Sequence, residues 1–192
     1  MNINQLVSAE NIAYKINENK LFHNISFFLD KGEALHISGA NGSGKSTLIR
    51  IILGITNQTK GDVNIFSEKK ICYLGHKNAI KSYLSVEDNL LIMGLLTHPN
   101  IDKYIEILEL KDCLDVVVGN LSFGQQKKVA LLRVFLNDSD LIVLDEPFVG
   151  LDFNTQNLVN NFLIEELSTK KGLIFTSHIK CPINSKIINL EQ

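Results

Sequence analysis

Proline and cysteine are scarce, three of each in 192 residues, and neither sign of charge prevails: Lys plus Arg number 19 against 21 Asp plus Glu, a net charge of −2. Each shortage excludes something. Little proline together with 45% hydrophobic residues excludes a disordered chain. The near-neutral balance argues against a strongly basic binder of nucleic acid or of membrane surfaces. Cys72, Cys113 and Cys181 are odd in number and far apart, so there is no disulfide framework and no Cys-x-x-Cys metal clip. Idle thiols in a reducing compartment fit that pattern. The longest apolar stretch near the middle, residues 90–96, is far short of the roughly 20 residues that cross a bilayer. The opening Met1-Asn2-Ile3-Asn4-Gln5 lacks the positive-then-apolar build of a secretory signal. The expectation is a soluble intracellular chain. At roughly 100–200 residues per domain it forms one domain.

What is present alternates between strand and helix. Strand patterns fall at 12–16, 21–29, 34–38 and 71–74, with Asn17-Glu18-Asn19 and Lys31-Gly32-Glu33 as turns. Apolar residues at Leu48, Ile51 and Ile52 give 47–53 a helical face, and Gly54 is placed to end it. From about 77 to 137 the spacing is helical, at 86–95, 102–110 and 126–136, which predicts a mostly helical lobe. Strand character returns with the fully apolar run 141–144, then a helix over 155–167 and strands at 173–176 and 187–190. The predicted fold class is α/β, a P-loop NTPase arrangement with a mostly parallel core sheet, a small N-terminal antiparallel part and the helical lobe.

Gly39-Ala40-Asn41-Gly42-Ser43-Gly44-Lys45-Ser46 satisfies Gly-x-x-x-x-Gly-Lys-[Ser/Thr] in full, with Thr47 following. Glycines let the backbone fold back so that successive N–H groups face phosphate oxygens. The helix that begins there sets its positive end, about half a charge, against the same anion. Lys45 reaches the β- and γ-phosphates, and the Ser46 hydroxyl ligates Mg²⁺. By itself this loop leaves kinases, GTPases and many ATPases open. The run 141–144 then ends in Asp145-Glu146-Pro147. Asp145 can hold Mg²⁺ through its water shell, and Glu146 stands where it can polarise an attacking water.

Leu121-Ser122-Phe123-Gly124-Gln125 precedes a helical stripe of Val129, Leu132, Phe135 and Leu136. As a second anion site, Ser122 can cap the helix and Gly124 permits close backbone approach. With these motifs in this order the chain resembles the nucleotide-binding subunit of an ATP-binding-cassette transporter, whose signature is Leu-Ser-Gly-Gly-Gln; Ser122, Gly124 and Gln125 match it and Phe123 departs from it. The resemblance implies that Gly150-Leu151-Asp152 faces a second subunit and that His178 touches the γ-phosphate. His76 stands where the family places a glutamine that senses Mg²⁺, which makes His76 a metal-facing candidate. The adenine-stacking aromatic is ill-defined: spacing from Gly39 puts Ile16 there, with Tyr14 two residues earlier.

Gly75-His76-Lys77-Asn78-Ala79-Ile80-Lys81, followed by Leu84-Ser85-Val86-Glu87-Asp88-Asn89-Leu90, is similar to the cytochrome c biogenesis (haem-exporter type) ATPases. That resemblance implies an ATP-hydrolysing subunit that uses ATP and Mg²⁺. Its partners are a CcmB-like membrane permease subunit and a second copy, packed head to tail, with no nucleic acid. It also implies a peripheral place on the cytoplasmic side of the inner membrane. In that mechanism Glu146, His178 and Lys45 are catalytic. Gly39–Thr47 of one copy and Ser122, Gly124 and Gln125 of the other enclose the nucleotide, and Ser46, Asp145 and His76 face the metal. Other small exporters, of lipoproteins or drugs, and a soluble non-transport cassette ATPase are the alternatives. The short span between Lys45 and Ser122 leaves no room for the long coiled coil of DNA-repair cassettes.

Overall fold

In the computed structural model, residues 4–190 are described; Met1, Asn2 and Ile3 of the opening segment lie outside them. The centre is a five-stranded sheet in the order β5-β6-β7-β3-β8, built from β3 (Ala34–Ser38), β5 (Cys72–Leu74), β6 (Leu141–Asp145), β7 (Gly172–Thr176) and β8 (Lys186–Asn189). Every pairing in it is parallel. Beside it lies an antiparallel sheet, β2-β1-β4, of β1 (Gln5–Ile16), β2 (Asn19–Asp30) and β4 (Lys60–Ile65).

Burial on both faces explains the apolar run of β6. Successive side chains of a strand point to opposite faces. Leu141 and Val143 pack with the antiparallel sheet and helix α1 (Lys45–Ile52), while Ile142 and Leu144 pack with the helices of the other layer. That second layer holds α2 (Val86–Ile92), α3 (Ile101–Ile107), α4 (Phe123–Phe135) and α5 (Phe153–Ser168), with short 3-10 turns at Lys111–Cys113 and Val118–Asn120.

Helix ends follow local chemistry. Ser85 caps α2 and Ser122 caps α4, each in a reciprocal capping box with the third helical residue, Asp88 and Gln125. Asp152 caps α5. Gly54 takes φ +68° just past α1, and its N–H donates to the Ile51 carbonyl. Strand β4 had no counterpart in the sequence pattern, and β1 begins at Gln5, well before the expected residue 12.

Candidate functional site

The parallel order brings the carboxyl ends of β3, β7 and β6 side by side, and each delivers one part of the site. From β3 the chain enters the glycine loop. Gly39, Gly42 and Gly44 all have positive φ. At Gly44, a Cβ would also stand 2.7 Å from the Leu21 side chain, so only glycine fits. Gly44 starts α1 with no capping side chain, unlike α2, α4 and α5, and α1 has no acidic residue in its first turn. The positive end of α1 therefore lacks an internal anion.

One polar side chain of the loop is unsatisfied, and another is turned back on the loop itself. The Ser43 hydroxyl is buried without a hydrogen-bond partner. The Lys45 ammonium is turned onto carbonyls of its own loop, donating to Gly39 O at 2.9 Å and Ala40 O at 3.1 Å. Lys45 Nζ also lies 3.2 Å from His178 Nε2, which must be the acceptor because an ammonium has only protons to give. An orphaned hydroxyl, an uncapped helix start and a lysine spanning its own loop fit a bound polyphosphate.

From β6 come Asp145, buried, and Glu146, 9% exposed. Thr176, at the end of β7 and paired in register with Asp145, organises both. Its hydroxyl donates to Asp145 Oδ1 at 2.8 Å and accepts from the Glu146 N–H at 2.8 Å. Thr176 was not expected from the sequence; its register opposite Asp145 across a parallel pair is the signal that identifies it. Glu146 takes φ +52°, a conformation non-glycine residues seldom hold. Its Oε2 accepts from the His178 N–H at 3.3 Å, and its Oε1 lies 3.4 Å from His178 Nε2.

These residues line a cavity of about 500 Å³ that contains Lys45, Ser46, Thr47, Asp145, Glu146, His178 and His76. Asn41, Gly42 and Gly44 also line it, together with Ile16, Leu21 and Val149, of which Leu21 and Val149 were missed in the sequence. Ile16 therefore borders the cavity, beside Leu21. Tyr14 is half-buried and instead stacks on Phe22, with ring centroids 6.2 Å apart. A larger hollow of about 880 Å³, along the free edge of β5, contains none of the candidate residues. Among the described residues no group of three or more His, Cys, Asp or Glu is arranged to hold a metal ion. Hydroxyl and carboxylate oxygens supplemented by phosphates suit Mg²⁺ without such a group.

Ser122, Gly124 and Gln125 are not part of this cavity. Ser122 is exposed at the start of α4, its hydroxyl accepting from Gln125 N–H at 3.2 Å and its own N–H donating to Gln125 Oε1 at 3.0 Å. Within one chain the start of α4 thus lies apart from the cavity that the glycine loop lines.

The model of the ABC transporter family matches residues 22–149. The "Cytochrome c biogenesis ATP-binding export protein CcmA" of Legionella pneumophila (strain Lens) is 31% identical over 187 residues, covering 90% of this chain and 92% of that protein. The protein of the same name from Nitrosococcus oceani is 35% identical over 184 residues, 90% of this chain and 85% of its own. Among solved structures, an ABC transporter ATP-binding protein from Pyrococcus furiosus superposes with a TM-score of 0.80 at 25% identity, covering 96% of each chain. A metal-chelate type ABC transporter in an inward-facing conformation gives 0.76 at 29% identity, with 97% of this chain and 80% of that one covered. The chain belongs to the ABC transporter family as an ATP-hydrolysing, ATP-binding subunit, in the group of the cytochrome c biogenesis ATP-binding export proteins. Among the described residues no helix is long and apolar enough to cross a membrane.

Proposed function

We propose that this chain drives a cytochrome c biogenesis exporter by closing on ATP as a head-to-tail pair. Residues 39–47 of one copy hold the triphosphate, and Ser122, Gly124 and Gln125 of the other cover it. The observation that carries this reading is the separation, within one chain, of the start of α4 from the cavity that the glycine loop lines. Each copy acts as one ATPase domain whose helical lobe, about 77–137, transmits closure to a CcmB-like permease on the cytoplasmic side of the inner membrane.

Within the site, Lys45 leaves its own carbonyls for the β- and γ-phosphates, exchanging neutral acceptors for charged ones. Ser46 and Asp145 would hold Mg²⁺, with His76 lining the same cavity. When bound, Mg²⁺ neutralises charge that develops on the transferred phosphoryl group. Thr176 fixes the Asp145 carboxylate and the Glu146 backbone, so the Glu146 side chain is aimed before nucleotide arrives. Glu146 accepts the proton of the attacking water, and His178, already beside both Glu146 and Lys45, positions the γ-phosphate. Replacing Glu146 by Gln removes the base while keeping its shape. Turnover in the complex with its membrane partner is expected to fall by roughly 10²–10⁴-fold with ATP still bound. Wild-type turnover in E146Q would contradict the assignment.

A further inference from the structure

Phe123 replaces a glycine of the signature, and one edge of its otherwise exposed ring lies against Gly150. A Cβ built on Gly150 would meet two atoms of that ring at 2.3 Å, so the ring occupies the space that the missing side chain leaves. In the other direction, a Cβ on Gly124 would lie 2.9 Å from the Gly150 carbonyl oxygen. Gly150 has φ +81°, and the turn it belongs to is closed by Leu151 N–H donating to Phe148 O at 3.3 Å. Phe148 is buried, and Lys128 of α4 reaches Asp152 at 3.7 Å. The start of α4 and the segment 146–152 therefore form one packed unit inside each chain, and Glu146 lies four residues before Gly150.

We infer that Phe123 is a positioning residue that couples the two nucleotide sites of a pair, by keying the start of α4 to the turn that carries Glu146. The inference rests on the head-to-tail reading, in which α4 covers the second copy's nucleotide while Glu146 serves its own. Capture of one nucleotide pulls on Ser122 and its helix start. The Phe123 ring passes that displacement to Gly150, and the short, internally bonded turn passes it to Glu146. A glycine at position 123 has no ring with which to make that link. Coupling of this kind shows as cooperativity in ATP.

Phe123 is 57% exposed, so truncating it removes little buried surface and leaves the fold standing. The test compares wild type, F123A and F123Y. In the complex with the membrane partner, ATP turnover as a function of ATP concentration is expected to give a Hill coefficient near ~2 for wild type and F123Y, falling toward ~1 in F123A. In the nucleotide-free full chain, hydrogen exchange at residues 149–152 is expected to quicken by about tenfold in F123A and to stay unchanged in F123Y. Equal cooperativity and equal exchange in F123A would overturn the inference, as would a wild-type Hill coefficient of one. Full-rate hydrolysis by a wild-type monomer would instead overturn the pairing on which it rests, an outcome the exchange measurement distinguishes because it needs no second copy.

Discussion

At the scale of single residues, one threonine hydroxyl does what neither carboxylate does for itself. Thr176 donates to Asp145 and accepts from the Glu146 backbone, which holds Glu146 in a left-handed conformation. Strain of this kind costs of order 1–3 kcal/mol and persists only where surroundings enforce it. Asp152 is a second case. Hydrogen bonds from the Thr155 N–H at 2.8 Å and the Thr155 hydroxyl at 2.9 Å hold its carboxyl below the usual carboxylate range. A folded-state pKa depressed below the unfolded value adds stability that is present above about pH 4 and is lost as pH falls through the folded value. Asp152→Ala is expected to lower stability at pH 7 by about 1 kcal/mol in denaturant unfolding. That difference from wild type should shrink as the pH falls into the acid range, because the charge-dependent part of the cap is lost. A difference unchanged across the acid range would contradict the cap. Burial also pushes the Cys72 thiol up to about 11. It should stay protonated at pH 7 and react with iodoacetamide far more slowly in folded than in unfolded protein, consistent with three idle cysteines.

At the scale of elements, legibility depended on how local the cause was. Strand β6 was plain because both of its faces are buried, which demands a run of apolar residues. Its Leu144 is fully buried, so Leu144→Ala is expected to cost ~2–5 kcal/mol in denaturant unfolding. A cost under ~1 kcal/mol would show that the helical layer does not close over this face. The glycine loop and the Ser122 cap of α4 were equally legible, since each is written within a few neighbouring residues. Strand β4 was not. Lys60-Gly61-Asp62-Val63-Asn64-Ile65 holds three poor strand formers, and its place is set by distant backbone. At Gly61 a Cβ would lie 2.3 Å from the Glu10 carbonyl oxygen on β1. Ile16, which spacing from Gly39 sets at the adenine-stacking position, lines the cavity whereas Tyr14 does not, for a related reason. Simple alternation puts Tyr14 and Ile16 on one face, but β1 has pairing irregularities on both sides of Tyr14. Such slips change which face a side chain joins. Tyr14 turns to Phe22 while Ile16 lines the cavity.

At the scale of the whole molecule, the polar groups of the site are arranged for something the single chain does not contain. Lys45 rests on its own loop, the start of α1 has no capping side chain, and Ser122 stands exposed outside the cavity. In the proposed pairing, a second copy turned head to tail supplies the missing half, and the same closure would move the helical lobe against a membrane partner. The most direct measurement is the molar mass of the E146Q chain in solution, with and without Mg-ATP, beside the same protein carrying a further Ser122→Arg change. The account predicts that mass doubles with ATP in E146Q alone, because arginine at position 122 obstructs the cover while leaving the glycine loop intact. A protein that binds ATP and remains at single-chain mass, or that doubles equally with arginine at 122, would contradict it.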